Sequence, residues 1–280
     1  MATSLYDTTT FSVSEVITKK YSTSFYLASK LFNKSIKKDI FSIYGFVRFA
    51  DEIVDTFHGF DKKYLINKFE EDYYDSIKHG ISLNPVLHSF QLTVKKYNIS
   101  DAYVQAFLSS MKFDLEKKEY VTRDEINEYI YGSADVVGLM CLKVFCEGNE
   151  DLFNELKPSA IKLGSAFQKV NFLRDLKNDI ENLDRKYFPE ITRHNFTEVT
   201  KTEIINDIKN DFQIAFSGIK KLPHNSRLAV FMAYSNYFAL LKKISITPAH
   251  KIVSKRLRIS NFQKILLLFR SILFYKLKLV

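Results

Sequence analysis

The 280-residue chain is poor in turn-formers and in the residues of familiar catalytic motifs. It has 8 glycines, 5 prolines, 2 cysteines, no tryptophan and 6 scattered histidines. Glycine and proline fall well below their average shares of roughly 7% and 5%. A protein with so few turn-formers cannot be built from many short strands, so long helices are favoured. Cys141 and Cys146 lie in an apolar stretch at a spacing that is neither CxxC nor that of a zinc site, and read as reduced core thiols. No HExxH and no histidine-centred triad can be drawn. The glycines never fall into GxGxxG or GxxxxGK, which argues against a dinucleotide fold and a phosphate loop. No Ser/Gly/Pro-rich linker and no fixed-period repeat divides the chain, so it reads as one domain.

The two ends differ. Met1 to Thr10 is polar and threonine-rich, and is expected to be a short disordered tail rather than a signal peptide. A folded body over 11–264 and a basic, apolar tail over 265–280 follow. The last 30 residues hold Lys251, Lys255, Arg256, Arg258, Lys264, Arg270, Lys276 and Lys278 and no acid, against a net charge of +9 for the whole chain. The intervening apolar runs are too short to span a bilayer, which takes about 20 predominantly apolar residues. Two readings remain for this end: a helix lying on an anionic membrane surface, or a terminal helix packed on the body with its lysines solvated. Nucleic acid is not an expected partner, because the excess charge is terminal and no binding motif accompanies it. The expected location is cytoplasmic, peripheral on the inner face of the membrane.

Apolar periodicity predicts helices over about Phe11–Leu31, Lys37–Phe57, Lys62–His79, Asn84–Lys96, Asp101–Lys118, Arg123–Glu147, Glu150–Leu183, Thr202–Leu222, Ser226–Ile244 and Ser260–Lys278. Breaks are predicted at Gly59, Gly80/Pro85, Gly148, Pro189, Pro223 and Pro248. The fold class is therefore all-α, a single large helical bundle with a central apolar cavity.

Two of these helices carry oxygen-bearing side chains four residues apart, on one face of the helix. On the first, Tyr44, Arg48, Asp51 and Asp55 share a stripe beside an apolar face, a position that could equally border solvent. On the second, Gly164, Gln168, Asn171, Asp175 and Asp179 form a stripe hemmed by Phe167 and Phe172, which should face an interior. Buried carboxylates cost several kcal/mol each unless paired or metal-bound. The competing reading of the first stripe is a solvated face, and of the second a structural polar network. Oxygen donors without Cys or His suit Mg²⁺, several ions per site with Mn²⁺ as a substitute, and Mg²⁺ usually completes its shell with substrate phosphates. Arg48 and Arg174 would supply further donors to a diphosphate.

The chain resembles the squalene/phytoene synthase family over roughly 11–264, and among its members most resembles bacterial phytoene synthases. The resemblance is carried by Tyr21-Ser-Thr-Ser24-Phe25-Tyr26-Leu27-Ala28, Tyr44-x-x-x-Arg48-x-x-Asp51-Glu52-x-x-Asp55, Tyr129-x-x-x-x-Ala134-x-x-Val137-Gly138, Gly164-x-Ala166-x-Gln168-x-x-Asn171-x-x-Arg174-Asp175-x-x-x-Asp179 and Arg185-x-Tyr187-x-Pro189. Weaker matches run from Tyr237 to Ile244 and from Arg256 to Ser260. Asp135 stands where the family usually has glycine, and Val47 where cysteine is common.

The resemblance implies an all-α isoprenoid-synthase fold with a deep apolar cavity. It assigns Asp51, Asp55, Asn171 and Asp175 to Mg²⁺, with Asp179 in support. Arg48, Arg174, Tyr237 and one of Arg256 or Arg258 would hold diphosphate, and Arg185 and Tyr187 would close over the site. Tyr21 belongs to the first matching motif, at the substrate-binding end. Ser24, Phe25, Tyr44, Tyr129, Val137 and Gln168 would line the cavity. The implied reaction joins two prenyl diphosphates head to head through a cyclopropylcarbinyl diphosphate, with aromatic faces such as Phe25 and Tyr129 steadying the cations. Proton loss would end it, with no NADPH expected. Ser29, small and one turn beyond Phe25, leaves room for C20 substrates, so the expected reaction converts two geranylgeranyl diphosphates into phytoene. The alternatives are a dehydrosqualene or squalene synthase acting on two farnesyl diphosphates, a non-catalytic membrane-associated helical scaffold, and a one-substrate terpene cyclase, against which the YxxSF and GxAxQxxNxxRD segments argue.

Overall fold

A computed structural model describes residues 4–117, 119–181, 185–188, 191 and 196–280, with the side chains of 180 and 181 excepted. Pro189, and Leu183 at the expected end of a helix, lie outside the described residues. Among the described residues, thirteen α-helices follow one another: α1 Leu5–Tyr21, α2 Thr23–Ser29, α3 Lys34–Thr56, α4 Lys62–His79, α5 Pro85–Tyr97, α6 Asp101–Glu116, α7 Arg123–Ile130, α8 Val136–Cys146, α9 Glu150–Glu181, α10 Glu198–Ile219, α11 Arg227–Ile246, α12 Ala249–Ile252 and α13 Asn261–Lys276. The only β pairing among the described residues is an isolated parallel bridge between Glu119 and Lys186.

Local sequence explains where the helices start and stop. Ser4 and Asp7 close a capping box on α1, Asn84 caps α5 with Pro85 at its first turn, and Thr122 and Glu125 close a second box on α7. Gly80 ends α4 at φ 75°, a left-handed conformation that glycine adopts without a Cβ clash. The expected disordered tail is therefore corrected from Leu5 onward. Helix α1 is fixed by its cap, by Tyr6 donating to the Ser82 carbonyl at 2.5 Å, and by Asp7 against His88 at 2.9 Å.

Two other expected helices are interrupted. The stretch Phe11–Leu31 breaks at Ser22, whose hydroxyl accepts from the Phe25 amide and starts α2 afresh. Between α7 and α8 the backbone widens into a π turn over Tyr131–Asp135, a form that often marks functional sites. Gly164 of α9 lies so close to this turn that an added Cβ would stand 2.9 Å from the Ala134 carbonyl oxygen and the Asp135 Cα.

The bundle has two cores. The first centres on Phe46 of α3, stacked on Phe90 at 4.0 Å and flanked by Phe69, Tyr73 and Phe107. The second joins α7, α9, α10 and α11 around Leu173, Phe212 and Leu241. Burial of such side chains contributes roughly 1.5–3 kcal/mol each. Among the described residues one stretch, Arg123–Cys146, is long and apolar enough to cross a membrane, but most of it is buried in the bundle and serves as core. The acidic stripes of α3 and α9 sit between the two cores.

Candidate active site

An apolar chamber of about 350 Å³ runs between α2, α3, α8, α9, α10 and α11. It opens into a polar mouth of about 890 Å³. Phe25, Ala28, Tyr44, Val47, Phe167, Asn171 and Tyr237 belong to both walls, so the two spaces are continuous. Two stacked pairs frame the junction: Phe25 on Tyr44 at 4.8 Å and Phe167 on Tyr237 at 4.0 Å.

Of the residues singled out from sequence, Tyr21, Ser24, Phe25, Tyr44, Arg48, Asp51, Tyr129, Gln168, Asn171, Arg174, Tyr237 and Arg256 line the mouth. Val137 lines the chamber. Asp55, Asp175, Asp179, Arg185 and Tyr187 lie outside the mouth wall; Asp175 is tied to it by ion pairs with Arg174 and Arg256, and Tyr187 by its ring against Tyr129. The Arg48 guanidinium lies over the Tyr21 ring at 4.6 Å and bonds both Asp51 and Glu52. Arg174 holds Asp175 through Nε at 3.0 Å and Nη2 at 2.5 Å. Arg256 reaches the same carboxylate from the other side at 2.6 Å, arriving from the segment between α12 and α13. Arg174 also bonds the Tyr237 hydroxyl. Arg258 lines the mouth too, but it is Arg256 that pairs with the acidic stripe.

The acidic groups feel one another. About a third of the Asp51 side chain meets solvent at the rim, yet burial, then the Asp55 charge, pushes its carboxyl up to about 7. Asp179, buried, is likewise pushed up to about 7, first by burial and then by Asp175, with Asp55 adding to the repulsion. The stripes of α3 and α9 therefore face each other. One residue links them: the Arg185 guanidinium donates to Asp55 at 3.1 Å, and its backbone N–H donates to the Asp179 carbonyl at 2.8 Å. The bridge from Lys186 to Glu119 and the Tyr120 N–H to the Lys186 carbonyl fix this segment.

The donor set suits a hard cation, since every candidate ligand is oxygen and the buried Asn171 Oδ1 has no hydrogen-bond partner. No three acidic, histidine or cysteine side chains among the described residues converge to grip a cation unaided. A cation here would need oxygens from the bound ligand as well.

One expectation is corrected. Ser29 is buried but outside the chamber wall; its hydroxyl turns back to donate to the Phe25 carbonyl at 2.8 Å, and Ala28 faces the chamber instead. Tyr129 reaches the mouth, with Tyr187 and Phe172 together on one side of it at 5.4 and 6.2 Å. Arg185 and Tyr187 are both buried, 7% exposed. A residue not foreseen is Asp114 of α6. It accepts from the Tyr129 hydroxyl at 2.9 Å, lies 3.8 Å from Arg185, and burial raises its carboxyl to about 7. Its signal was an acid that extends the buried stripe Tyr103, Phe107, Met111 by one more turn.

Comparison with known proteins fits this geometry. The squalene/phytoene synthase family profile matches residues 18–263. The chain is 31% identical over 193 residues to a phytoene synthase of Arthrospira platensis, covering 65% of this chain and 62% of that protein, so it spans just under two thirds of that relative's length. It is 25% identical over 291 residues to a 15-cis-phytoene synthase of Synechocystis sp., covering 92% and 83% of the two chains. A dehydrosqualene synthase crystal structure superposes with a TM-score of 0.79 at 23% identity, over 96% of this chain and 98% of that one, and shares the fold. The chain belongs to the squalene/phytoene synthase family.

Proposed function

We propose that the protein joins two prenyl diphosphates head to head, that the substrates are two molecules of geranylgeranyl diphosphate, and that the product is phytoene with release of two diphosphates. The observation that carries this is the continuity of a cationic and acidic mouth with an apolar chamber, a shape matched to an anionic head on a long hydrocarbon tail. Arg48, Arg174 and Arg256 each hold a carboxylate and can turn to diphosphate oxygens as a ligand enters. Mg²⁺ held by Asp51, Asp55, Asn171, Asp175 and Asp179 would supply Lewis-acid stabilisation of the leaving diphosphate. The stacked pairs at the junction present ring faces to a cation without a nucleophile to capture it. The apolar chamber excludes water that would trap such a cation as an alcohol.

The phytoene reading is supported by the named relatives and by Ala28, which leaves depth in the chamber wall. A second reading, condensation of two farnesyl diphosphates, is favoured by one feature: Phe32 and Phe145, stacked at 5.3 Å, take up room in the chamber away from the mouth. The test offers C15 and C20 diphosphates with Mg²⁺, with and without NADPH, and weighs the product by mass. A C40 hydrocarbon independent of NADPH is expected. A C30 product alone removes the phytoene reading, and no diphosphate release from either substrate removes catalysis in favour of a scaffold role.

A further inference from the structure

Helix α13 is assembled the wrong way round for a helix covering a soluble protein. Amphipathic surface helices turn their apolar stripe inward. Here Phe262, Leu266, Phe269 and Leu273, with Ile265 and Leu277 beside them, are each more than half exposed. At 100° per residue these six fall within about 120° of the helix circumference. The inward side is held by other means. Ser271 is buried and meets Ser235 at 3.4 Å, the Tyr275 hydroxyl meets His224 at 2.9 Å, and the Phe274 ring lies against Phe231 at 6.5 Å. The body thus fixes the helix through these contacts and leaves its largest apolar face without a partner.

We propose that this face docks the protein on an anionic phospholipid surface, with the cavity mouth set beside the bilayer. Charge selects the occupant. Arg270, Lys276 and Lys278 are exposed around the stripe, and the last 30 residues carry eight cations and no acid. A second copy meeting this face would bring like charge against like, whereas an anionic bilayer gives both the counter-charge and an apolar layer for the six side chains. The start of the same helix walls the mouth: Asn261 and Lys264 line it beside Arg256 and Arg258. Docking through α13 therefore brings the mouth against the lipid surface, where an amphiphilic substrate resides and into which a hydrocarbon product partitions. This last consequence rests on the proposed prenyl-transfer function; the docking itself does not.

Because the chain has no tryptophan, Phe269→Trp creates a single reporter on the exposed face. With phosphatidylcholine vesicles containing phosphatidylglycerol its emission shifts to the blue, the shift weakens as salt rises, and pure phosphatidylcholine gives much less. Leu83→Trp, at a still more exposed position on the loop before α5, stays unshifted. The double variant Leu266→Glu/Phe269→Glu lowers the vesicle-bound fraction at least about tenfold with its far-UV circular dichroism unchanged. A silent Phe269→Trp in anionic vesicles overturns the proposal. So does a dimer, seen by sedimentation equilibrium, that the same double variant dissolves, because a second copy would then be the occupant. No prenyl substrate is present in these measurements, so their failure leaves the prenyl-transfer reading standing, and its failure leaves the docking standing.

Discussion

Arg185 donates from Nη1 to Oδ1 of Asp55 at 3.1 Å, joining the segment after α9 to the acidic stripe of α3 across 130 residues of sequence. The same guanidinium donates to the Asp114 carbonyl at 3.2 Å and stands 3.8 Å from its carboxylate. One cation thus holds two carboxylates on two helices.

Arg185→Lys keeps the charge but loses the planar fork, and turnover should fall about tenfold to a hundredfold with little change in melting temperature. Arg185→Met leaves the buried Asp114 uncompensated and should destabilise the protein by about 3–5 kcal/mol. Adding Asp114→Asn should recover part of that loss, read as coupling in a double-mutant cycle. Additive losses would mean the two side chains do not interact.

Asp51→Asn and Asp175→Asn keep size and polarity while removing one negative charge each from the facing stripes. Diphosphate release should fall at least about a thousandfold in either variant, equivalent to about 4 kcal/mol of barrier. The melting temperature of Asp51→Asn without ligand should hold or rise, because Asp51 is a repelled carboxylate. Activity within tenfold of the parent would show that the diphosphate binds elsewhere.

Chain length should respond to Ala28 and not to Ser29. Ala28→Phe places a ring in the chamber, so C20 turnover should drop more than about tenfold while C15 turnover survives better, measured as paired kcat/KM values. Ser29→Ala, whose hydroxyl faces the Phe25 carbonyl, should leave the C15 to C20 ratio within about twofold. A reversal of these two outcomes would place the chamber on the other side of α2.

Asp135, in the π turn, should make stability depend on pH. Burial raises its carboxyl from 3.8 to about 7, opposed by the Ser165 hydrogen bond and by Lys162 and Lys169, and assisted by Asp211. A raised carboxyl pKa favours the folded state only while the group is protonated. The contribution is full below 3.8 and is lost as pH climbs to about 7, at most about 4 kcal/mol. Asp135→Asn removes this loss, so the variant should melt higher than the parent at pH 8 and differ little at pH 4. Parallel melting profiles for both proteins across that range would contradict the assignment.

Helix positions were legible because apolar spacing and capping are local. Lys62–His79 matches its expected bounds at both ends, and the acidic spacing on α9 placed Asn171 inward from the two phenylalanines beside it. The break at Ser22 was not legible, since a serine is tolerated inside a helix and only the Phe25 amide reveals it as a cap. The π turn was also hidden; it lies against Gly164 of another helix, a contact that no local spacing records.

By itself the sequence determined the all-α class, the two oxygen-rich stripes and the order of the motifs, because side-chain periodicity and helix caps act over one or two turns. Tertiary structure decided the rest. Which arginine holds Asp175, that Asp114 belongs to the site, that Ala28 and not Ser29 faces the chamber, and that α13 turns its apolar side outward all depend on segments far apart in the chain meeting in space. Those meetings are set by how helices pack against one another, and no spacing along a single helix records them.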